Sequence, residues 1–124
     1  IDLHGFTGPF VQYTHARIKS VLRKERPIGA ALEQGLLKLE KDLLVHLERY
    51  PSVVQEAATE LDPSKIAIYV FELAKIFNSF YTEHSIANAE TPGKKELRLQ
   101  MSDLTARVIA SGLSMLGIKV PDKM

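Results

Sequence analysis

The side chains with the clearest chemical capacity recur along one flank of the predicted first helix. Tyr13, Arg17, Ser20 and Lys24 are spaced three or four residues apart, so a helix places them in one row. An aromatic ring can stack on an unpaired base, and a guanidinium or an ammonium can pair with a phosphate. The row therefore has the chemistry of a contact with single-stranded nucleic acid. Taken alone, a Tyr–Arg step is more often bundle packing with the cation extended to solvent, so both interpretations stay open.

A second candidate group lies at the C-terminal end of the predicted fourth helix. Asn78, Tyr81 and Ser85 share one flank there, where the apolar pattern loosens. Tyr81 could be a stacking platform with Asn78 beside it to read a base edge. Tyr81 could equally be a half-buried core residue, and the sequence does not decide between the two.

Three cations crowd the first turns of the predicted fifth helix, namely Lys94, Lys95 and Arg98. The helix dipole disfavours cations at this end, so the cluster suggests an anionic partner, with a solvated charge run as the alternative. The net charge is only +1, but segment 9–26 holds five basic residues and one acidic residue, and segment 92–124 holds six and three. If the first and last helices pack side by side, they form one basic surface.

A helical scaffold must position these groups, and the turn residues outline it. Apolar spacing and helix-start signals predict five helices that begin near Pro9, Leu36, Pro51, Asp62-Pro63 and Thr91-Pro92. The first is predicted to run to about Glu25, and Gly117 to end the fifth. The fourth is the most apolar and is predicted to be central. The predicted fold class is all-α, a bundle of about five helices in a single domain spanning residues 1–124.

Composition argues against several functional classes. Cysteine is absent, which excludes disulfides and thiolate zinc sites and fits a cytosolic protein. The four histidines have no metal-ligand spacing, so no metal site is predicted, and no pattern of a catalytic nucleophile is present. No apolar run approaches the ~18 residues of a membrane-spanning helix. Because the chain begins within a motif and lacks an initiator methionine, we expect it to be a fragment of a longer protein.

Residues 5–24, GFTGPFVQYTHARIKSVLRK, resemble a family signature. They are similar to the TGPY-QYAHAR-SxLRK motif that opens the C-terminal, DALR-type anticodon-binding domain of arginyl-tRNA synthetases. Further segments match the same family in order, at residues 43–58, 62–74, 77–81 and 112–124. Departures are mild, with Phe10 where the family often has Tyr and Thr14 where it often has Ala. Signatures of the HIGH and KMSKS type, which mark the catalytic domain, are absent.

The resemblance implies a domain that binds the anticodon loop of tRNA(Arg). The parent enzyme, with its own catalytic domain, would activate arginine with ATP and Mg²⁺ and ligate it to the tRNA. Carried over by motif position, Tyr13, Arg17, Tyr81 and Met124 surround the anticodon loop, and unstacked bases insert between Tyr13/Arg17 and Tyr81/Met124. Asn78 is assigned to this site from the residue pattern, whereas the assignment of Met124 depends on the resemblance alone.

Four basic residues are expected to hold the RNA backbone, namely Arg23, Lys24, Lys94 and Lys95. The fragment itself is expected to need no cofactor, to contact no membrane and to lie in the cytoplasm. One alternative is a helical protein-interaction module whose basic face meets an acidic partner. Such a module has no reason to distinguish one anticodon from another. A small stand-alone enzyme is a third alternative, which turnover by the purified chain would support.

Overall fold

The computed structural model describes residues 7–26, 29–32 and 35–121, and its regular elements in these ranges are α-helices. The helices are α1 (Thr7–Lys24), α2 (Lys38–Glu48), α3 (Tyr50–Glu60), α4 (Ser64–Glu83) and α5 (Pro92–Met115). The predicted all-α class and the five predicted helices are therefore confirmed. Among the described residues, no helix combines the length and the apolar character needed to cross a membrane.

The predicted start signals of α4 and α5 both make local hydrogen bonds, and that of α5 is a helix cap. Thr91 Oγ1 accepts a hydrogen bond from the amide of Lys94 at 3.1 Å, and Pro92 follows in the first turn, where an amide would lack a helical partner. Before α4, Asp62 precedes the N-cap residue Pro63, and its Oδ1 accepts the amide of Ser64 at 3.1 Å. Local chemistry thus sets both starts, which is why the sequence alone predicted them.

Helix α4 is central, as its apolar pattern predicted, and packs against each of the other four helices. Leu73, Phe77 and Phe80 on it are fully buried. Burial of each such side chain stabilises the fold by about 1.5–3 kcal/mol. Helix α5 is also largely buried, although its buried residues include the charged Lys94 and Arg98.

Helices α1 and α4 run side by side in the same direction. Phe10 meets Phe71 near the start of both helices, with ring centroids 5.7 Å apart and the rings edge-on. Further along, Asn78 Nδ2 donates to Thr14 Oγ1 at 2.8 Å. This parallel packing brings the two candidate flanks, one from each helix, to the same side of the bundle.

The chain after α5 returns to α1. Gly117 has a φ of 76°, a left-handed conformation that glycine adopts readily, and it follows the helix end as predicted. Gln12 Nε2 then donates to the carbonyl oxygen of Lys119 at 2.8 Å, and the ring of His15 lies 3.4 Å from the carbonyl oxygen of Pro121. Residues 118–121 are thereby held against α1.

Candidate nucleic-acid interface

A groove of about 970 Å³ lies between α1, α4 and the loop that joins α4 to α5. Its lining includes the complete predicted row of α1 and two residues of the predicted α4 flank, namely Tyr13, Arg17, Ser20, Lys24, Tyr81 and Ser85. Two flanks that the sequence offered as separate candidates therefore face one concave surface, which we call the groove.

Arg17 makes the central polar contacts of the groove. Its Nη1 donates to Asn78 Oδ1 at 2.6 Å and its Nη2 to Tyr13 Oη at 3.4 Å. Its Cζ lies 5.2 Å from the ring centroid of Tyr13 and 4.8 Å from that of Tyr81, within the range of cation–π attraction. Because Arg17 contacts both rings, the four side chains form one cluster. The insertion of bases between Tyr13/Arg17 and Tyr81/Met124 stays a prediction.

The side-chain amide of Asn78 is used within the protein. Its Oδ1 accepts from Arg17, and its Nδ2 donates to Thr14 Oγ1 and to the carbonyl oxygen of Ala74, both at 2.8 Å. These bonds use both amide hydrogens. Asn78 therefore positions Arg17, and its predicted reading of a base edge stays a prediction.

Thr14 is a contributor that the sequence analysis noted only as a departure from the family pattern. Its hydroxyl accepts from Asn78 and donates to the carbonyl oxygen of Phe10 at 3.0 Å. The side chain is fully buried. Thr14 thus completes a chain of hydrogen bonds that runs from the backbone of α1 through Asn78 to Arg17.

The two tyrosines of the groove differ in exposure. Tyr13 is 48% exposed, so it presents ring surface to solvent. Tyr81 is half-buried and packs beside Phe77, with ring centroids 5.9 Å apart and planes inclined by 26°. The sequence did not decide whether Tyr81 is a core residue or a stacking platform. In the structure it lies at the edge of the core, where it contacts both the buried Phe77 and Arg17.

Two of the four cations predicted to contact the RNA backbone lie in the groove. Arg23 and Lys24 are exposed in the last turn of α1, where the helix dipole favours positive charge. Lys95 lies outside the groove lining and pairs with Glu25 at 2.8 Å, with both side chains about a quarter exposed.

Lys94, the fourth of these cations, is buried, with 6% exposure. Its Nζ lies 2.6 Å from Glu40 Oε1 and also donates to the carbonyl oxygen of Gly35. The prediction that Lys94 contacts a phosphate is corrected, because the ion pair and the burial withdraw its ammonium from solvent.

The anionic partner inferred for the cations at the start of α5 is the protein itself. Glu40 accepts from Lys94 and from Arg98, and Arg98 also pairs with Glu90. Burial opposes ionisation of Glu40, but the hydrogen bonds from Lys94, from the amide of Leu37 and from Arg98 prevail and lower the pKa of this carboxyl. Although α1 and α5 pack together, Lys94 and Arg98 are buried in ion pairs and add no charge to a shared surface.

Met124, predicted from the family resemblance alone, lies outside the described residues, and its role stays a prediction. Within the described ranges, no group of three His, Cys, Asp or Glu side chains is arranged to hold a metal ion.

Comparison with known proteins gives a consistent result. A family model described as the DALR anticodon binding domain matches residues 11–124. The chain is 43% identical over 125 residues to the arginine–tRNA ligase of Flavobacterium psychrophilum and 38% identical over 134 residues to that of Pyrococcus furiosus. Both matches cover 100% of this chain and 21% of the relative. The chain thus spans about a fifth of the length of these curated relatives.

Solved structures agree with the sequence comparison. The arginyl-tRNA synthetase of Thermus thermophilus superposes with a TM-score of 0.90 at 35% identity, over 99% of this chain and 22% of that one. A putative arginyl-tRNA synthetase from Campylobacter jejuni gives a TM-score of 0.81 at 28% identity, over 93% of this chain and 26% of that one.

Proposed function

Because the chain belongs to the family of DALR anticodon binding domains, we propose that it binds the anticodon loop of tRNA(Arg) in the groove between α1 and α4. It does so as one domain of an arginyl-tRNA synthetase that also has a catalytic domain. That enzyme ligates arginine to tRNA(Arg) in the cytoplasm. The ATP and Mg²⁺ that ligation requires would be bound by that catalytic domain.

The observation that carries this proposal is the orientation of Arg17 beside two aromatic rings. The bonds to Asn78 and Tyr13 use two of its five N–H donors, and the remaining donors can pair with a phosphate oxygen or a base edge. The exposed ring of Tyr13 offers a stacking surface to an unpaired base, an interaction worth roughly 1–3 kcal/mol per base. Tyr81 supports the arrangement from the core side.

Charge in the groove favours a polyanion at one end. Arg23 and Lys24 are exposed there, and Glu25, which also lines the groove, is neutralised in part by Lys95. Phosphates on either side of a stacked base would therefore be drawn towards the last turn of α1. Basic side chains next to exposed aromatic rings are typical of proteins that bind single-stranded RNA.

A salt titration tests the proposal. The binding constant of this chain for a fluorescent anticodon stem-loop of tRNA(Arg) should fall as salt rises, by about 0.7 log units per decade for each phosphate contact. Lys24→Met should reduce that slope by about one contact. Lys38→Met is the matched control, since Lys38 lies outside the groove lining in a surface pair with Asp42.

Two other results would contradict the proposal. If the stem-loop does not bind at low salt, the groove is not an RNA site, and the helical protein-interaction module becomes the better description. If it binds and Lys24→Met leaves the salt slope unchanged, the RNA contacts a different surface of the bundle.

A further inference from the structure

The loop of residues 84–91, which joins α4 to α5, forms one wall of the groove and is held from behind by a buried guanidinium. Ser85, Ile86 and Ala87 line the groove. Arg98, itself 0% exposed, donates from Nη1 to the carbonyl oxygen of Ser85 at 2.8 Å. Nη1 and Nη2 also donate to the two carboxylate oxygens of Glu90, at 2.9 Å and 2.8 Å. One guanidinium therefore holds both ends of this wall.

The opposite edge of the same guanidinium is anchored in the core. Arg98 Nε donates to Glu40 Oε2 at 2.9 Å, and Glu40 is itself fully buried. Glu40 Oε1 accepts from Lys94 at 2.6 Å and from the amide of Leu37 at 2.8 Å. The planar guanidinium makes directional bonds along two edges, so its position is determined on both sides. A lysine, with a single ammonium, cannot reproduce this geometry.

We propose that Arg98 is a positioning residue for RNA binding, which acts through Ser85 and Glu90 to fix loop 84–91 as the wall of the groove. The inference rests on the function proposed above for the groove. Arg98 has no access to solvent, so it contributes by geometry and not by contact with a phosphate.

Glu90 makes the proposal testable, because geometry and charge predict opposite results for its removal. Its side chain is 58% exposed and Arg98 keeps its buried pair with Glu40, so the replacement of Glu90 removes no side chain from the core. If only charge matters, loss of a carboxylate near a polyanion strengthens RNA binding. If Glu90 holds the loop through Arg98, its loss weakens binding.

The experiment compares Glu90→Ala with Glu83→Ala in the same chain. Glu83 lines the groove itself, so Glu83→Ala removes a carboxylate next to the RNA and should tighten binding. Glu90→Ala should weaken binding of the tRNA(Arg) anticodon stem-loop by roughly tenfold, with an unchanged salt slope because no phosphate contact is lost. Arg98→Lys, which keeps the charge and loses the planar geometry, should also weaken binding without a change of slope.

Amide hydrogen exchange provides the structural readout. In Glu90→Ala, amides of residues 84–91 should exchange faster while those in the centre of α4 stay protected. Unchanged exchange in the loop, or binding as tight as that of the unmodified chain, would overturn the positioning role while leaving the proposed function in place. Failure of the unmodified chain to bind the stem-loop would instead overturn both.

Discussion

The bond between Arg17 Nη1 and Asn78 Oδ1, at 2.6 Å, joins residues that are 61 positions apart in the chain. It connects α1 to α4 at the groove, so the orientation of the guanidinium depends on the packing of two helices. Asn78 is fixed in turn by Thr14 and by the carbonyl oxygen of Ala74. A cation fixed in this way before the RNA arrives loses less conformational entropy on binding.

Asn78→Ala should therefore weaken RNA binding through its effect on Arg17, because both amide hydrogens of Asn78 are used within the protein. The substitution removes the acceptor that holds Arg17, and hydrogen bonds to charged groups are worth about 1.5–3 kcal/mol. We expect a fall in affinity of roughly tenfold in a stem-loop binding assay. Ser79→Ala, at the exposed neighbouring position on α4, is the control and should have no effect. Equal affinity of the two variants would show that Arg17 needs no support from α4.

Tyr13→Ala should reduce affinity by the stacking term, roughly 1–3 kcal/mol, because the exposed ring is the proposed platform for a base. Tyr13→Phe keeps the ring and loses only the hydroxyl, whose contact with Arg17 is long at 3.4 Å. The phenylalanine variant should therefore bind nearly as well as the unmodified chain. If both variants lose the same affinity, the hydroxyl and not the ring makes the important contact.

Glu40→Ala should destabilise the fold severely. It leaves Arg98 and Lys94 buried without their shared carboxylate, and breaking a buried pair in this way costs about 3–5 kcal/mol. Asp42→Ala is the control, because it breaks an exposed pair with Lys38 that is worth about 0.3–0.5 kcal/mol. The free energies of unfolding in urea measure both changes. Similar losses in the two variants would contradict the structural importance of the buried cluster.

His46 should make the free energy of unfolding depend on pH. Burial lowers the pKa of its imidazole, as does the charge of Arg49, although the contact with the Tyr69 carbonyl and the charge of Glu72 oppose them. The unfolded chain therefore takes up a proton first as pH falls below the ordinary histidine value of ~6.5, and stability decreases there. His46→Gln should flatten the stability profile as pH falls through the ordinary histidine value of ~6.5. If the free energy of unfolding depends on pH equally steeply in His46→Gln, another group causes the dependence.

The lowered pKa of Glu40 should produce a second decrease in the free energy of unfolding, at lower pH than the decrease caused by His46. A lowered carboxyl pKa means that its stabilising effect is complete above the ordinary glutamate value of ~4.3 and is lost as pH falls through the folded value. The two effects are separable because they occupy different pH ranges.

What the sequence predicted well depends on local chemistry. Thr91 and Asp62 accept hydrogen bonds from amides two or three residues away at helix starts. The row from Tyr13 to Lys24 follows from helical spacing within one element. The sequence could not predict partners that only tertiary packing supplies. Lys94 meets Glu40 across 54 positions, and the sequence offers several acidic residues with no means of choosing among them.

The same distinction explains the outcome at Asn78. Its place on the flank of α4 could be predicted, but its commitment to Arg17 and Thr14 depends on how α1 lies against α4. The groove is lined by Tyr13, Arg17 and Tyr81 together. The proposal that these three residues bind RNA jointly therefore has a defined geometry.

The most direct test of the account is base discrimination by the unmodified chain. Its affinity should be measured for the anticodon stem-loop of tRNA(Arg) and for the same loop with the middle anticodon base changed. We predict tighter binding to the native loop, because a domain that reads the anticodon must distinguish its bases. Equal affinity for both loops would contradict anticodon reading by this chain and would reduce the groove to a general contact for nucleic acid.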